Sequence, residues 1–244
     1  MFRSVRGLGV AFSVLVALTA LSDLIMAGWV WRVHGVLEGY LDGRVGEAEF
    51  DRTLAVTDLL DLGSAVVYIA AGVVFVVWQW RIRANADLIA PDAHQHTRRW
   101  AIWGWLPIVS FWIPRRVVVD VWQVSRPRHE SGRGHGEVDW WWGLFIAYQV
   151  IDRITDRMLA RGESADDLAT GGVMLVVVAA LSVGAAASAV NVVRRITAWQ
   201  SEPGFFAPPE ILSPPSTGPA PVDLPRAARP IAPPADDPRW QRPE

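Results

Sequence analysis

The sequence predicts an all-α fold, a polytopic membrane helix bundle with four spans. Hydrophobic residues make up 51% of the 244-residue chain and charged residues only 20%, a balance more typical of membrane proteins than of soluble domains. Three apolar stretches are long enough, and a fourth is marginally long enough, to cross about 30 Å of hydrocarbon as a helix. Strands are not expected, because an open sheet would leave unpaired backbone groups facing lipid.

The predicted spans lie at residues 8–30, 59–80, 138–154 and 171–193. Two arginines precede the first span, as in a signal peptide. Its apolar run is longer than the roughly 7–15 residues of a signal peptide, so we expect a retained anchor. The second span has Asp61 near its start, the third is short and contains Asp152, and the fourth has no charged residue. Together they form a predicted membrane domain over residues 1–198.

Arginine placement orients this domain, because positive charges close to span ends tend to stay in the cytoplasm. Arginines crowd residues 81–99 and 115–133, whereas residues 31–58 and 152–167 are acidic on balance. We therefore expect a multi-pass protein of the cell membrane with four crossings and both termini in the cytoplasm. This alternation requires that residues 100–113 do not cross.

The segment 100–125, rich in tryptophan and proline, is predicted to be re-entrant or interfacial. Its first part, residues 100–113, would be about 21 Å long as a helix, which is too short to cross the hydrocarbon. Pro107 disfavours a continuous helix there. Extending the helix further would bury Arg115 and Arg116, at about 2.5–3.5 kcal/mol each.

The residues that follow, PRRVVVDVWQVS, predict an amphipathic helix on the cytoplasmic surface or against the bundle. Pro114 stands at a favoured first-turn position. The apolar stripe of this helix consists of Val117, Val118, Val121 and Trp122, and such a stripe is typical of a helix with one face buried. The opposite face carries Arg116, Asp120 and Gln123.

Residues 199–244 differ in composition from the rest of the chain. They contain 13 of its 17 prolines, mixed with alanine, serine, aspartate and arginine. Such a segment buries too little apolar surface to offset its ordering entropy. We therefore predict a disordered Pro-rich cytoplasmic tail.

Three stretches of the chain resemble one membrane-protein family. They are FVVWQWRIRANADLI (75–89), WAIWGWLPIVSFWIP (100–114) and DVWQVSRP (120–127). They resemble the actinobacterial DUF4328 family, a domain of unknown function, and the likeness extends over roughly residues 8–195. The matching motif positions are Asn85, Gly104, Trp105, Pro107, Trp112, Pro114, Asp120 and Trp122.

The resemblance implies a membrane architecture and no activity. It gives the eight motif positions a structural or binding role without specifying which. Ser110 and Arg115 depart from the family's pattern, which has asparagine and an aromatic residue in these places. No polar contact or stacking role is therefore carried over to these two residues.

Asp23 is the intramembrane polar candidate, because an ionisable residue inside a span is by default a hypothesis of function. It would serve as a proton or substrate site. The alternative is structural tolerance, since Asp23 lies about a turn and a half from Trp29 and can extend toward the membrane interface or carry a proton.

No catalytic residue, metal site or cofactor is predicted. The absence of cysteine excludes disulfides and thiolate catalysis. His94 and His96 form an H-x-H pair, but it lies in a loop beside a proline, a weak pattern for a metal site. The net charge of −2 provides no basic field for nucleic acid.

Two functional hypotheses remain from the sequence, and neither is enzymatic, because no convergent polar cluster is evident. The first is an interaction, scaffold or regulatory protein in the lipid bilayer that contacts a protein partner through its cytoplasmic face or tail. The alternative is a small transporter or channel subunit that uses Asp23. That alternative favours a homo-oligomer, with the small-residue run GAAASA (184–189) at the interface.

Overall fold

The computed structural model describes residues 4–88, 113–127, 130, 132, 134–162 and 164–202. This part of the chain consists of five α-helices and contains no strand, so the all-α prediction is confirmed there. The helices are α1 (Arg6–Leu41), α2 (Glu47–Ala86), α3 (Ile113–Ser125), α4 (Gly136–Leu159) and α5 (Ala165–Trp199). Trp199 ends α5 and is buried together with Gln200, so the predicted start of the tail at residue 199 is too early; residues 203–244 and 100–112 lie outside the described residues.

Three helices are long and apolar enough to cross a membrane: α1, α2 and the part of α5 from Asp166 to Trp199. Within the apolar windows of these helices, only 22%, 11% and 28% of the residues are buried inside the protein. Most of their apolar side chains therefore face outward, as expected for helices surrounded by lipid. The fourth predicted span corresponds to α4, which is helical but is not among these three.

The four long helices alternate in direction along the bundle. Helix α1 packs against α2 and α5, and α4 packs against α5, whereas α2 and α4 contact each other at few points. A Cβ atom at Gly9 would lie 2.9 Å from the Thr197 hydroxyl, and one at Gly172 would lie 3.3 Å from Trp31. These close approaches at opposite ends show that α1 and α5 run antiparallel.

The bundle has two distinct ends. At the loop end, α1 turns into α2 and α4 turns into α5. Gly43, with a φ of +71°, provides the left-handed residue that the first turn needs. Ser164 and Asp167 form a capping box at the start of α5, in which each side chain accepts a hydrogen bond from the other's backbone N–H at 3.2 Å.

The opposite, tryptophan end contains the main core. The Phe75 and Trp141 ring centroids lie 5.6 Å apart across α2 and α4. Trp122 of α3 meets Trp199 of α5 edge-on at 4.6 Å, a favourable aromatic geometry. Helix α3 lies on this end with its whole predicted apolar stripe at most 1% exposed, which confirms the predicted amphipathic helix.

Small residues of α5 pack inside the chain's own bundle. Ala185, Ala186 and Ala189 are 8%, 8% and 3% exposed, and they lie within the run that was expected to form an interface between copies. These three alanines therefore allow the helices of one chain to approach closely, whereas Ala187 of the same run is exposed and the homo-oligomer stays a prediction.

Candidate functional site

All four long helices line a cavity of about 280 Å³ toward the loop end, and α1, α2 and α4 contribute polar side chains to it. We call it the polar cavity. Its polar lining residues are Thr19, Asp23, Asp61, Ser64, Tyr68, Tyr148, Gln149, Asp152, Arg153 and Asp156. On each helix these residues recur every three or four positions, which places them on one face. Four carboxylates and one guanidinium thus share a single concave site inside the bundle.

A second cavity of about 250 Å³ adjoins the first and extends toward the tryptophan end. We call it the apolar cavity. The two cavities share Thr19, Tyr68 and Tyr148 as lining residues. Beyond these, the apolar cavity is lined mainly by aromatic and small side chains, including Phe12, Phe75, Trp141, Phe145 and Ala186. The bundle therefore contains two adjoining cavities, one lined by acidic and the other by apolar side chains.

Asp23 lies in the middle of α1 and lines the polar cavity. The hydroxyls of Tyr148 and Ser182 lie close enough to its carboxylate to interact with it. Its Oδ2 atom is buried and has no hydrogen-bond partner among the residues that the structure describes. The carboxylate points into the bundle. Extension of Asp23 toward the membrane interface, one form of the structural-tolerance alternative, therefore does not fit.

Asp152 is the second carboxylate of the site that is partly buried. It lies close enough to Asp23, Asp156 and Arg153 for its charge to interact with all three. Arg153 and Asp156 approach to 3.8 Å but are largely exposed. The guanidinium is therefore turned toward the rim, and the inner part of the cavity is dominated by negative charge.

Residues of α2 and α4, two helices that contact each other at few points, lie on opposite sides of both cavities. The Tyr68 hydroxyl donates a hydrogen bond to Gln149 Oε1 at 3.1 Å across this gap. Tyr68 is 39% exposed on the side that would face lipid. This one exposed hydrogen bond joins the helices at the level of the polar cavity.

Asn85, one of the predicted motif positions, belongs to a separate buried network at the tryptophan end. Its Nδ2 donates a hydrogen bond to Gln200 Oε1 at 3.1 Å. Gln200 Nε2 in turn donates to the Ile82 carbonyl at 3.1 Å and to the Ser125 hydroxyl at 2.9 Å. Because buried amides need partners, this network joins the ends of α2, α3 and α5.

The remaining described motif positions, Pro114, Asp120 and Trp122, all lie on α3. The Pro114 carbonyl accepts a hydrogen bond from Gln79 Nε2 at 3.1 Å. Trp122 is fully buried, and Asp120 is half-buried. These contacts hold α3 on the bundle rather than forming a pocket. The other motif positions, Gly104, Trp105, Pro107 and Trp112, lie outside the described residues.

The model of a family described as a domain of unknown function, DUF4328, matches residues 42–198, which is well over half of the chain. The chain belongs to the DUF4328 family. The family resemblance predicted from the motifs is therefore confirmed. No curated protein and no solved structure matches the chain.

The DUF4328 match covers α2 to α5 and begins after α1, so it starts later than the predicted limit of the resemblance. Asp23 therefore lies outside the matched region, whereas Tyr148 and Asp152, which approach it, lie inside. In this DUF4328 protein, α1 lines the polar cavity from outside the matched region. The other three lining helices, α2, α4 and α5, lie within it.

Sequence reasoning missed several residues around Asp23, namely Tyr68, Tyr148 and Gln149 of the polar cavity and Ser182 of the apolar cavity. A pattern that indicates them is present: polar residues recur on a single stripe within otherwise apolar helices, as at Tyr148, Asp152 and Asp156. Among the residues described, no three histidine, aspartate or glutamate side chains converge closely enough to hold a metal ion.

Proposed function

We propose that the chain crosses the cell membrane four times, with α4 as the remaining span and both termini in the cytoplasm. Helix α4 has 24 residues, or about 36 Å, and lies in the bundle beside α5. Helix α2 ends and α3 begins at the same end, which supports a re-entrant or interfacial path for residues 100–113. The arginines around α3 and at the end of α5 favour a cytoplasmic tryptophan end.

For this membrane protein we propose a non-enzymatic role as a small transporter or channel subunit that binds a cation at the polar cavity. The observation that carries the proposal is the Asp23 carboxylate, which points into a polar cavity within the bundle. An ionisable group inside a span is costly. Its retention beside two hydroxyls and a second carboxylate supports a site for a proton or another cation.

The test is flux through the purified protein in liposomes, with a trapped pH-sensitive dye and imposed gradients of protons and K⁺. We expect the wild type to dissipate one of these gradients about tenfold faster than empty liposomes. Asp23→Asn preserves the size of the side chain and removes its charge. It should reduce the flux to the empty-liposome rate, because the cation loses its principal counter-charge.

Asp51→Asn is the matched control, because Asp51 is an exposed acid of α2 that does not line either cavity. It should leave the flux unchanged. A wild-type protein that dissipates neither gradient, or an Asp23→Asn variant as active as the wild type, would contradict the proposed transport role.

A second candidate function is an interaction or scaffold protein, which a different observation favours. Helix α3 is held firmly on the tryptophan end by its buried face, and Arg116 and Gln123 remain exposed on the other face. A fixed helix with an exposed polar face at the cytoplasmic side is suited to contact a protein partner without first paying an ordering cost.

A further inference from the structure

The two adjoining cavities form a space with two chemically opposite halves. The polar cavity is lined by four carboxylates and one guanidinium, and that guanidinium lies at the rim. The apolar cavity beside it is lined by Phe12, Phe75, Trp141 and Phe145. A single ligand that fills both halves must therefore carry a positive group at one end and an apolar body at the other.

We propose, on the basis of the proposed cation-binding role, that this space binds an amphiphilic organic amine. The ammonium group lies between Asp23 and Asp152, and the hydrocarbon part lies against the aromatic side chains. The Asp23 carboxylate, which lines the polar cavity, accepts a hydrogen bond from the ammonium. Charge-assisted hydrogen bonds of this kind are stronger than neutral ones.

The position of the space indicates how such a ligand enters. Residues of α2 and α4, whose mutual contacts are few, lie on opposite sides of both cavities, and the Tyr68–Gln149 hydrogen bond spans the gap at the level of the polar cavity. An amphiphilic amine dissolves in the membrane with its charge at the interface. It therefore reaches the gap sideways from the lipid.

The probe is tritiated decylamine, bound to the purified protein in phosphatidylcholine nanodiscs, with empty nanodiscs as the background. Unlabelled decylamine, decanol and decanoate serve as competitors with the same tail and a positive, neutral or negative head. We expect decylamine to displace the label at a concentration about tenfold or more below that of either other compound, since one ion pair commonly contributes that factor. Equal competition by decanol would overturn the proposed ligand class.

Variants of the acidic half test the placement of the ammonium group. Asp23→Asn and Asp152→Asn should each weaken decylamine binding about tenfold or more. The control Asp51→Asn should leave it unchanged. If both cavity variants bind decylamine as tightly as the wild type, or if Asp51→Asn weakens binding equally, the amine is not held in this cavity and the inference fails.

A variant of the apolar half tests the tail and does not alter any charge. Gly72 lines the apolar cavity, and a Cβ atom there meets nothing within 4 Å. Gly72→Leu should therefore fold, occupy part of the cavity and weaken decylamine binding several-fold. Gly28→Leu is the matched control, because Gly28 is also free of close neighbours and lines neither cavity. Equal binding by both glycine variants would overturn the placement of the tail.

The binding and flux measurements separate the two proposals. Ion flux that depends on Asp23, without specific decylamine binding, retains the proposed transport role and overturns the ligand class. Specific decylamine binding that Asp23→Asn weakens, without ion flux, supports the amine site and overturns the transport role.

Discussion

At the scale of single residues, two buried polar groups serve different purposes. Gln200 is 1% exposed and satisfied by three hydrogen bonds to Asn85, Ile82 and Ser125. Asp23 has one buried oxygen without a hydrogen-bond partner in the described part of the chain. A fully bonded group such as Gln200 stabilises the fold, whereas an incompletely bonded carboxylate in a cavity is suited to bind a ligand.

Replacement of Gln200 should lower stability. Gln200→Leu removes the partner of three buried polar groups, and we expect the free energy of unfolding to fall by about 1–3 kcal/mol. The measurement is thermal or denaturant-induced unfolding in detergent micelles. Gln123→Leu, at an exposed position of α3, is the control. If the two variants are equally stable, the Asn85–Gln200 network contributes nothing to the fold.

At the scale of elements, α3 shows what the described family-motif residues do. Pro114 and Trp122 join this short helix to α2 and α5, and α3 also contacts α4. Arg115 adds an ion pair to Asp139 of α4, with its Nε atom 2.9 Å from Oδ1. Pro114 and Trp122 therefore attach α3 to the bundle, and neither lines the polar or the apolar cavity.

The exposed face of α3 provides the test of the interaction role. A photo-crosslinking residue at Gln123 should capture one discrete protein in native membranes, because this face is fixed and accessible. The same crosslinker at Ile69, an exposed apolar position of α2, should capture only lipid. If position 123 yields no protein adduct, or the same adducts as position 69, α3 is not a partner-binding surface.

At the scale of the whole molecule, the two ends of the bundle differ in charge and packing. The tryptophan end carries α3, the main core and the two arginines near the end of α5, Arg194 and Arg195. The loop end carries the two helix turns and the acidic rim of the polar cavity. This asymmetry is the physical basis for the proposed orientation, since arginine-rich ends tend to stay in the cytoplasm.

The natural absence of cysteine makes this orientation straightforward to measure with single-cysteine variants in intact cells. Arg44→Cys and Arg161→Cys, at the loop end, should react with a membrane-impermeant thiol reagent added outside. Leu88→Cys and Gly132→Cys, at the tryptophan end, should react only after permeabilisation. Labelling of position 132 but not 161 in intact cells would overturn the four-span topology.

The sequence by itself determined the membrane class, the long helices, the amphipathic α3 and the family. Each of these depends on local composition, length or periodicity, or on a contiguous motif. It also identified Asp23, because a charge inside an apolar run stands out.

Only the tertiary structure decided which faces of the helices meet. Tyr148 and Ser182 approach Asp23 because α4 and α5 pack with one particular stripe inward, and a nearly uniform apolar span does not specify that stripe. Asn85 and Gln200 are 115 residues apart in sequence and are joined by the same packing. The physical reason is that contacts between helices depend on how side chains fit together across the whole bundle.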